Sequence, residues 1–116
     1  MMNLPTSEQA GVLVVSVNGR IDHAVSEEFT RALEPLLARC TQGQPALLLD
    51  FSGVVYISSA GLRVLMMASR QAKAQQGSFA IAALTPLVQE VFTISRFNLI
   101  VPCYTSVDAA CKVLGR

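Results

Sequence analysis

Two serines, Ser58 and Ser59, stand in the stretch VVYISSAGLRVL (residues 54–65), between an apolar run and the first turn of a predicted helix. A hydroxyl here can accept a hydrogen bond from a free N–H of the helix and act as its N-cap. It can equally accept a phosphoryl group, because Ala60 and Gly61 add little bulk beside it. A phosphate would add about −1.5 to −2 charges, which the helix dipole tolerates. The spacing alone is compatible with both interpretations.

A serine at a strand-to-helix turn can also be the nucleophile of a hydrolase. The local sequence ISSAG departs from the G-x-S-x-G pattern of such turns. His23 is the single histidine, so it would have to act as the base, with Asp22 or Asp50 to orient it. These demands disfavour a hydrolase, and we predict no catalytic residues and no enzymatic activity.

Asp50 follows the apolar run ALLL, as the phosphoacceptor of a receiver domain would. Acyl-phosphate chemistry needs a Mg²⁺ site of several oxygen ligands. No acidic pair follows the run at residues 11–19, and no lysine ends the stretch NLIVPCY (98–104). No glycine-rich loop of the P-loop or G-x-G-x-x-G type is present either, which disfavours nucleotide binding. We predict instead that Asp50 ends a strand and accepts hydrogen bonds from loop N–H groups.

The composition argues against other kinds of site. The net charge is +1 and the basic residues are scattered, so we do not expect nucleic-acid binding. Cys40, Cys103 and Cys111 are odd in number, lack C-x-x-C spacing and have a single histidine to complement them. We therefore predict free thiols, no metal and no cofactor.

Apolar runs alternate with helical patterns along the chain, which predicts an α/β fold. Strand patterns occur at residues 11–19, 46–51, 78–84 and 98–104, and the first residues are a candidate edge strand that Pro5 disfavours. Helical patterns occur at residues 22–40 with Asp22 as N-cap, at residues 59–75, after Thr85 and after Ser106. We expect a mixed sheet of four to five strands with parallel pairs and about four helices.

In such sheets, binding sites gather in the loops that follow the carboxyl ends of the strands. Polar residues concentrate in two of these predicted loops, residues 19–22 and 52–59. On the helix that follows, Val64 and Met67 are predicted to point away from the inward stripe. An apolar outer face indicates a docking surface, unless the terminal helices or a second copy of the chain cover it.

Length and hydropathy predict a single domain over residues 1–116, with its core at about residues 11–115. An apolar fraction of 52% argues against disorder. No apolar run reaches the roughly 18 residues of a membrane span, and the start MMNLPTSEQ lacks the pattern of a secretory signal. We expect a cytoplasmic protein without direct membrane insertion.

The stretch LLLDFSGVVYISSAGLRVL resembles the STAS family, specifically the bacterial anti-sigma factor antagonists. The resemblance extends over about residues 12–114, and VNGRIDHA is similar to the family's turn into its first helix. It implies a single-domain STAS fold and a regulator that takes part in partner switching. The unphosphorylated form would bind an anti-sigma factor that is also a serine kinase, and a metal-dependent serine phosphatase would reset the phosphorylated form.

The resemblance also implies which residues act. The family's acceptor is the serine of an Asp-Ser-(Ser/Thr)-Gly motif, which corresponds to Ser59. Ser58 replaces the family's aspartate and is a rival acceptor, and Ala60 replaces the residue after the acceptor. The expected partner-binding residues are Asp22, Ser58, Ser59, Gly61, Val64 and Met67. The alternative function is a static STAS subunit of a membrane transport or other regulatory complex, without a phosphorylation switch.

Overall fold

The computed structural model describes residues 2–115. In chain order these residues form β1 (Thr6–Gln9), β2 (Val12–Ile21), α1 (Ser26–Ala38), β3 (Leu47–Ile57), α2 (Ser59–Ala74), β4 (Phe79–Ala82), α3 (Pro86–Ile94), a short 3₁₀ helix (Phe97–Leu99), β5 (Cys103–Tyr104) and α4 (Val107–Leu114).

The strands form one five-stranded sheet in the order β1-β2-β3-β4-β5. β1 is antiparallel to β2, and every other neighbouring pair is parallel. The expected mixed sheet with parallel pairs is confirmed, and so is the edge strand near the N-terminus. Pro5 precedes β1 instead of interrupting it, and its carbonyl accepts the N–H of Ser16.

Apolar side chains cover both faces of the central strands. On β3, Leu47 and Leu49 join a large core with α1, α2 and α3, whereas Leu48 joins a smaller core with α4. This division follows from the alternation of side chains along a strand. It explains why the central strand is apolar without interruption over its first residues.

Two strands are longer than the sequence predicted. β2 continues past Gly19 to Ile21, and β3 continues past residue 51 to Ile57. The predicted loop at residues 52–59 is therefore mostly strand. Register shifts in the β2–β3 ladder accommodate Gly19, whose φ is +89°. The polar residues of this extension alternate with buried ones such as Val54, which is typical of a strand with one solvated face.

The helix α3 faces the core with Val88 and Phe92, which are fully buried. The Phe92 ring packs edge-on against Phe51 and Phe97, at centroid distances of 6.3 and 5.1 Å. Leu87 and Ile94, which are also apolar, lie on the exposed side of this helix. The pattern was ambiguous because α3 is apolar on more than one face.

The helix α4 packs on the opposite face of the sheet, where Ala110 and Cys111 are buried. The helix predicted after Ser106 is confirmed, and Ser106 caps it: the Ser106 hydroxyl accepts the N–H of Ala109 at 3.0 Å. Within residues 2–115, no helix has the length and apolar character that crossing a membrane requires.

Candidate functional site

The two longest strands end side by side at one edge of the sheet. Ile21 of β2 pairs with Ile57 of β3 in the parallel register. Each strand is followed by a helix, so α1 and α2 both begin at this edge. The predicted site residues that follow the two strands are thereby brought close together.

Ser58 is the N-cap of α2. Its backbone is extended, with φ −95° and ψ 174°, and its hydroxyl oxygen accepts the N–H of Gly61 at 3.3 Å. Its own N–H donates to the Ile21 carbonyl at 2.9 Å, and its hydroxyl lies 3.4 Å from the same oxygen. The half-buried hydroxyl of Ser58 is thus engaged in holding the helix start against β2.

Ser59 is the first residue of α2 and is exposed. Its hydroxyl makes no hydrogen bond to another residue of the described chain, and the side chain that follows is the small Ala60. The two serines therefore differ physically: the Ser58 hydroxyl is engaged in the cap, whereas the Ser59 side chain is exposed and its hydroxyl has no partner among residues 2–115. The sequence could not separate a capping serine from an accessible one, because the cap (Ser58) and the exposed hydroxyl (Ser59) belong to adjacent residues.

Gly61 is buried where α2 crosses the end of β2. A Cβ atom added there would lie 2.7 Å from the Cγ1 atom of Ile57 and 2.8 Å from the carbonyl oxygen of Ile21. Glycine permits this close approach of helix and strand. Gly61 was predicted to bind a partner, but it is buried. Its role is to let the first turn of α2, which includes Ser59, lie close to β2.

Asp22 is not the N-cap of α1, which begins at Ser26 with Val25 at the cap position. One Asp22 oxygen accepts the N–H of Val25 at 3.3 Å and stabilises the turn before the helix. The other lies 3.9 Å from Nε of Arg20, an exposed ion pair. A short polar side chain can cap such a turn as readily as a helix. The sequence therefore indicated correctly that Asp22 has a capping role, but Asp22 caps the turn before α1 and not α1 itself.

Met67 is exposed, as predicted for the outer face of α2. Val64 is half-buried and packs against the large core, so the prediction that it points away from the inward stripe is wrong. Both line a groove between α1 and α2, which Ser59 and His23 also line. The surface at this edge therefore joins Ser59, Met67 and part of Val64.

Asp50 does not end a strand, because β3 continues for seven residues beyond it to Ile57. At about 3.3 Å per residue it lies roughly 20 Å from the edge where the serines stand. Its carboxylate accepts the N–H of Ser52 at 3.0 Å. Asp50 is consequently too far away to orient His23, and Asp22 is engaged with Val25 and Arg20. This arrangement does not assemble a hydrolase triad.

A family model described as "Mlab, STAS domain" matches residues 5–102. The chain belongs to the STAS-domain family. A curated relative, BtrV of Bordetella bronchiseptica, is described as an anti-sigma factor antagonist and is 35% identical over 109 residues, which cover 94% of this chain and 91% of BtrV. That level of identity places this STAS domain among the anti-sigma factor antagonists.

Solved structures share the fold. A Thermotoga maritima protein described as an anti-sigma factor antagonist gives a TM-score of 0.85 at 20% identity, covering 97% of this chain and 95% of that one. Bacillus SpoIIAA in its phosphorylated form gives 0.65 at 18% identity, with 96% and 99% covered. The murine anion transporter Slc26a9 gives 0.80 at 18% identity over 93% of this chain and 18% of the transporter.

Sequence reasoning missed one contact of this STAS domain. Arg20 and Tyr56 are neighbours across the β2–β3 ladder, and the Arg20 guanidinium carbon lies 4.4 Å from the centre of the Tyr56 ring. Arg20 is thereby held between the Tyr56 ring and Asp22. The residue types carry no local signal of this contact, because it depends on the strand register.

The three cysteines lie away from this edge of the STAS domain and are free thiols, as predicted. Burial raises the pKa of Cys103 to about 11 and also raises the pKa of Cys40. Within residues 2–115, no group of three His, Cys, Asp or Glu side chains is arranged to hold a metal ion.

Proposed function

We propose that this STAS domain is an anti-sigma factor antagonist of the cytoplasm that works by partner switching, with Ser59 as the phosphoacceptor. The unphosphorylated form binds an anti-sigma factor that is also a serine kinase, and so releases the factor's target. Phosphorylation of Ser59 blocks this binding, and a metal-dependent serine phosphatase restores it. The chain itself is a binding protein and substrate, not an enzyme.

The observation that carries this proposal is the contrast between the two serine hydroxyls. Ser58 caps α2 through Gly61 and is half-buried, whereas Ser59 is exposed and has no described hydrogen-bond partner. A kinase needs an accessible hydroxyl oxygen with room around it. Ser59 meets that condition without loss of the cap, which supports Ser59 over Ser58 as acceptor.

In the modification step, the Ser59 hydroxyl oxygen attacks the γ-phosphorus of ATP held by the kinase. The bond from that phosphorus to the ADP oxygen breaks, ADP leaves, and the serine proton passes to a base of the kinase. The ATP site belongs to the kinase partner, and this chain contributes the acceptor oxygen. Bacillus SpoIIAA, which has the same fold, exists in unphosphorylated and phosphorylated forms.

Phosphorylation of Ser59 changes partner binding without unfolding the domain. The phosphate would stand at the first turn of α2, where free N–H groups and the positive end of the helix dipole face it. A partner that covers Ser59 would instead have to desolvate a dianion, which costs several kcal/mol unless it is paired. The proposed contact surface comprises Asp22, Ser58, Ser59, Met67 and the exposed part of Val64, with Gly61 beneath it.

The test is incubation of the protein with its cognate kinase and Mg²⁺-ATP, followed by mapping of the phosphate by mass spectrometry. We expect the phosphate on Ser59, no labelling of Ser59→Ala, and labelling of Ser58→Ala. Phosphate on another residue in the wild-type protein would overturn the assignment.

A second candidate is a static STAS subunit of a membrane transport complex, favoured by the match of this chain to a part of the anion transporter Slc26a9. In that case a charge at Ser59 would leave partner binding unchanged. Ser59→Asp therefore separates the two: loss of binding to the anti-sigma factor supports the switch, and unchanged binding supports the static module.

A further inference from the structure

A groove of about 850 Å³ lies between α1 and α2. Leu33 and Leu37 of α1 form part of its buried floor, and Ala68 does so on α2. Met67, with 59% of its surface exposed, lies on the α2 side. The groove thus offers an apolar floor that is open to solvent.

The two rims of the groove carry opposite charges at the same spacing. Glu27 and Glu34 line it from α1, seven residues apart, and Arg63 and Arg70 line it from α2, also seven residues apart. Seven residues are about two helical turns, or roughly 10 Å of rise. The groove therefore has an acidic rim and a basic rim, each with charges repeated at a heptad interval.

Three of these four charges are available to a partner. Arg63, Arg70 and Glu34 form no ion pair with any of residues 2–115. Glu27 bonds to Arg31 at 2.6 Å, but both side chains are more than 70% exposed, and such a surface pair is easily exchanged. Three of the four rim charges are consequently not neutralised by the fold itself.

We propose that this groove binds an amphipathic α-helix of a partner protein, as a third helix laid between α1 and α2. Both helices follow parallel strands and run in the same direction, so a third helix can run along them over its whole length. Its apolar face would cover the floor. Acidic side chains seven residues apart would face Arg63 and Arg70, and basic ones would face Glu27 and Glu34, as flanking charges do in coiled coils.

The groove includes Ser59 at the end where both helices begin, but its rim charges are those of Glu27, Glu34, Arg63 and Arg70, so recognition of the charge pattern does not require the Ser59 hydroxyl itself. The rim charges select the partner more than they add affinity, because they are exposed. Charge pattern, more than peptide hydrophobicity, is therefore the property to test.

The experiment uses two synthetic helical peptides of about three heptads with the same apolar face. One has glutamate along one edge and lysine along the other; its sister has lysine along both edges. Binding to the full chain is measured by fluorescence anisotropy at low salt. We expect the mixed-edge peptide to bind about tenfold more tightly, with the preference shrinking at high salt.

The Arg63→Glu/Arg70→Glu variant makes both rims acidic and should reverse the preference, so that the all-lysine peptide binds more tightly. Lys112→Glu, on α4 at the opposite face of the sheet, makes the same kind of charge reversal at one position instead of two and should keep the wild-type preference. Met67→Asp should weaken both peptides. Circular dichroism confirms that each variant is folded.

Equal binding of the two peptides to the wild-type chain, or the same preference after charge reversal, would overturn the proposal. Binding of dodecanoate in the groove, with no binding of either peptide, would do so as well, since it would identify a small-ligand site. If Ser59→Asp still binds the peptide but no longer binds the kinase, the result supports the groove as a helix-binding site that is separate from the phosphorylation switch.

Discussion

The backbone carbonyl oxygen of Ile21 lies only 2.8 Å from the point where a Cβ atom on Gly61 would stand. The same oxygen accepts the N–H of Ser58 at 2.9 Å. The end of β2 and the first turn of α2 are therefore joined by direct backbone contact. This contact holds Ser59 in place at the edge of the sheet.

Gly61→Ala should destabilise the protein, because the new methyl group meets a backbone carbonyl that cannot move without breaking its bond to Ser58. Overpacking costs about 1 to 3 kcal/mol, which exceeds the gain of about 1 kcal/mol that alanine brings to a helix. Urea unfolding measures the difference. Ala60→Gly is the matched control, with a loss of no more than about 1 kcal/mol. A Gly61→Ala protein as stable as wild type would contradict the contact.

Ser58→Ala and Ser59→Ala should differ in their effect on stability. Removal of the Ser58 hydroxyl leaves the Gly61 N–H without its cap and should cost about 1 kcal/mol of unfolding free energy. Ser59→Ala removes a hydroxyl without described partners and should stay within about 0.5 kcal/mol of wild type. Parallel urea titrations compare the two, and equal losses would refute the division between cap and acceptor.

Ser59→Asp should keep the melting temperature of wild type or raise it slightly. A negative charge in the first turn of a helix is stabilised by about 0.3 to 1 kcal/mol. Differential scanning calorimetry provides the measurement, with Ala74→Asp at the exposed last residue of α2 as the opposite case, where the charge should lower the melting temperature. A marked fall in the melting temperature of Ser59→Asp would mean that the switch acts by unfolding.

Asp22→Ala should weaken anti-sigma factor binding about tenfold or more while costing the fold about 1 kcal/mol or less, because its bonds to Val25 and Arg20 are long and solvated. Isothermal titration and thermal melts separate the two effects. Asp108→Ala on α4 is the control: it also loses an exposed contact, to Gln9 at 2.7 Å, but lies away from the site. Unchanged affinity in Asp22→Ala would remove this residue from the contact surface.

Cys103 should resist alkylation near pH 8, since burial raises its pKa to about 11 from the ordinary 9.0. The lower thiolate fraction predicts labelling about a hundredfold slower than in a cysteine-containing peptide. Because the folded state holds this proton more tightly, its contribution to stability is present below pH 9 and is lost as the pH rises towards 11. Iodoacetamide labelling read by mass spectrometry, with Cys103→Ala as control, checks this prediction. Rapid labelling of the folded protein would contradict it.

Much of the fold could be predicted because its signals are local. The apolar run before Asp50 identified a central strand, and Ser106 identified the start of the last helix. The position of Asp22 was misjudged because a turn and a helix accept the same capping residue. The length of β3 was misjudged because its second half pairs with β2 alone and is solvated on one face.

The sequence by itself determined the order of strands and helices, the family, and the pair of serines between which a choice had to be made. These follow from periodicity, capping residues and a local motif, which act over a few residues. The tertiary structure decided which serine is engaged, why residue 61 is glycine, and that Arg63 and Glu34 face one groove. Those facts depend on distances between elements that are far apart in the chain. Only the pairing of β2 with β3 and the packing of α1 beside α2 establish these distances.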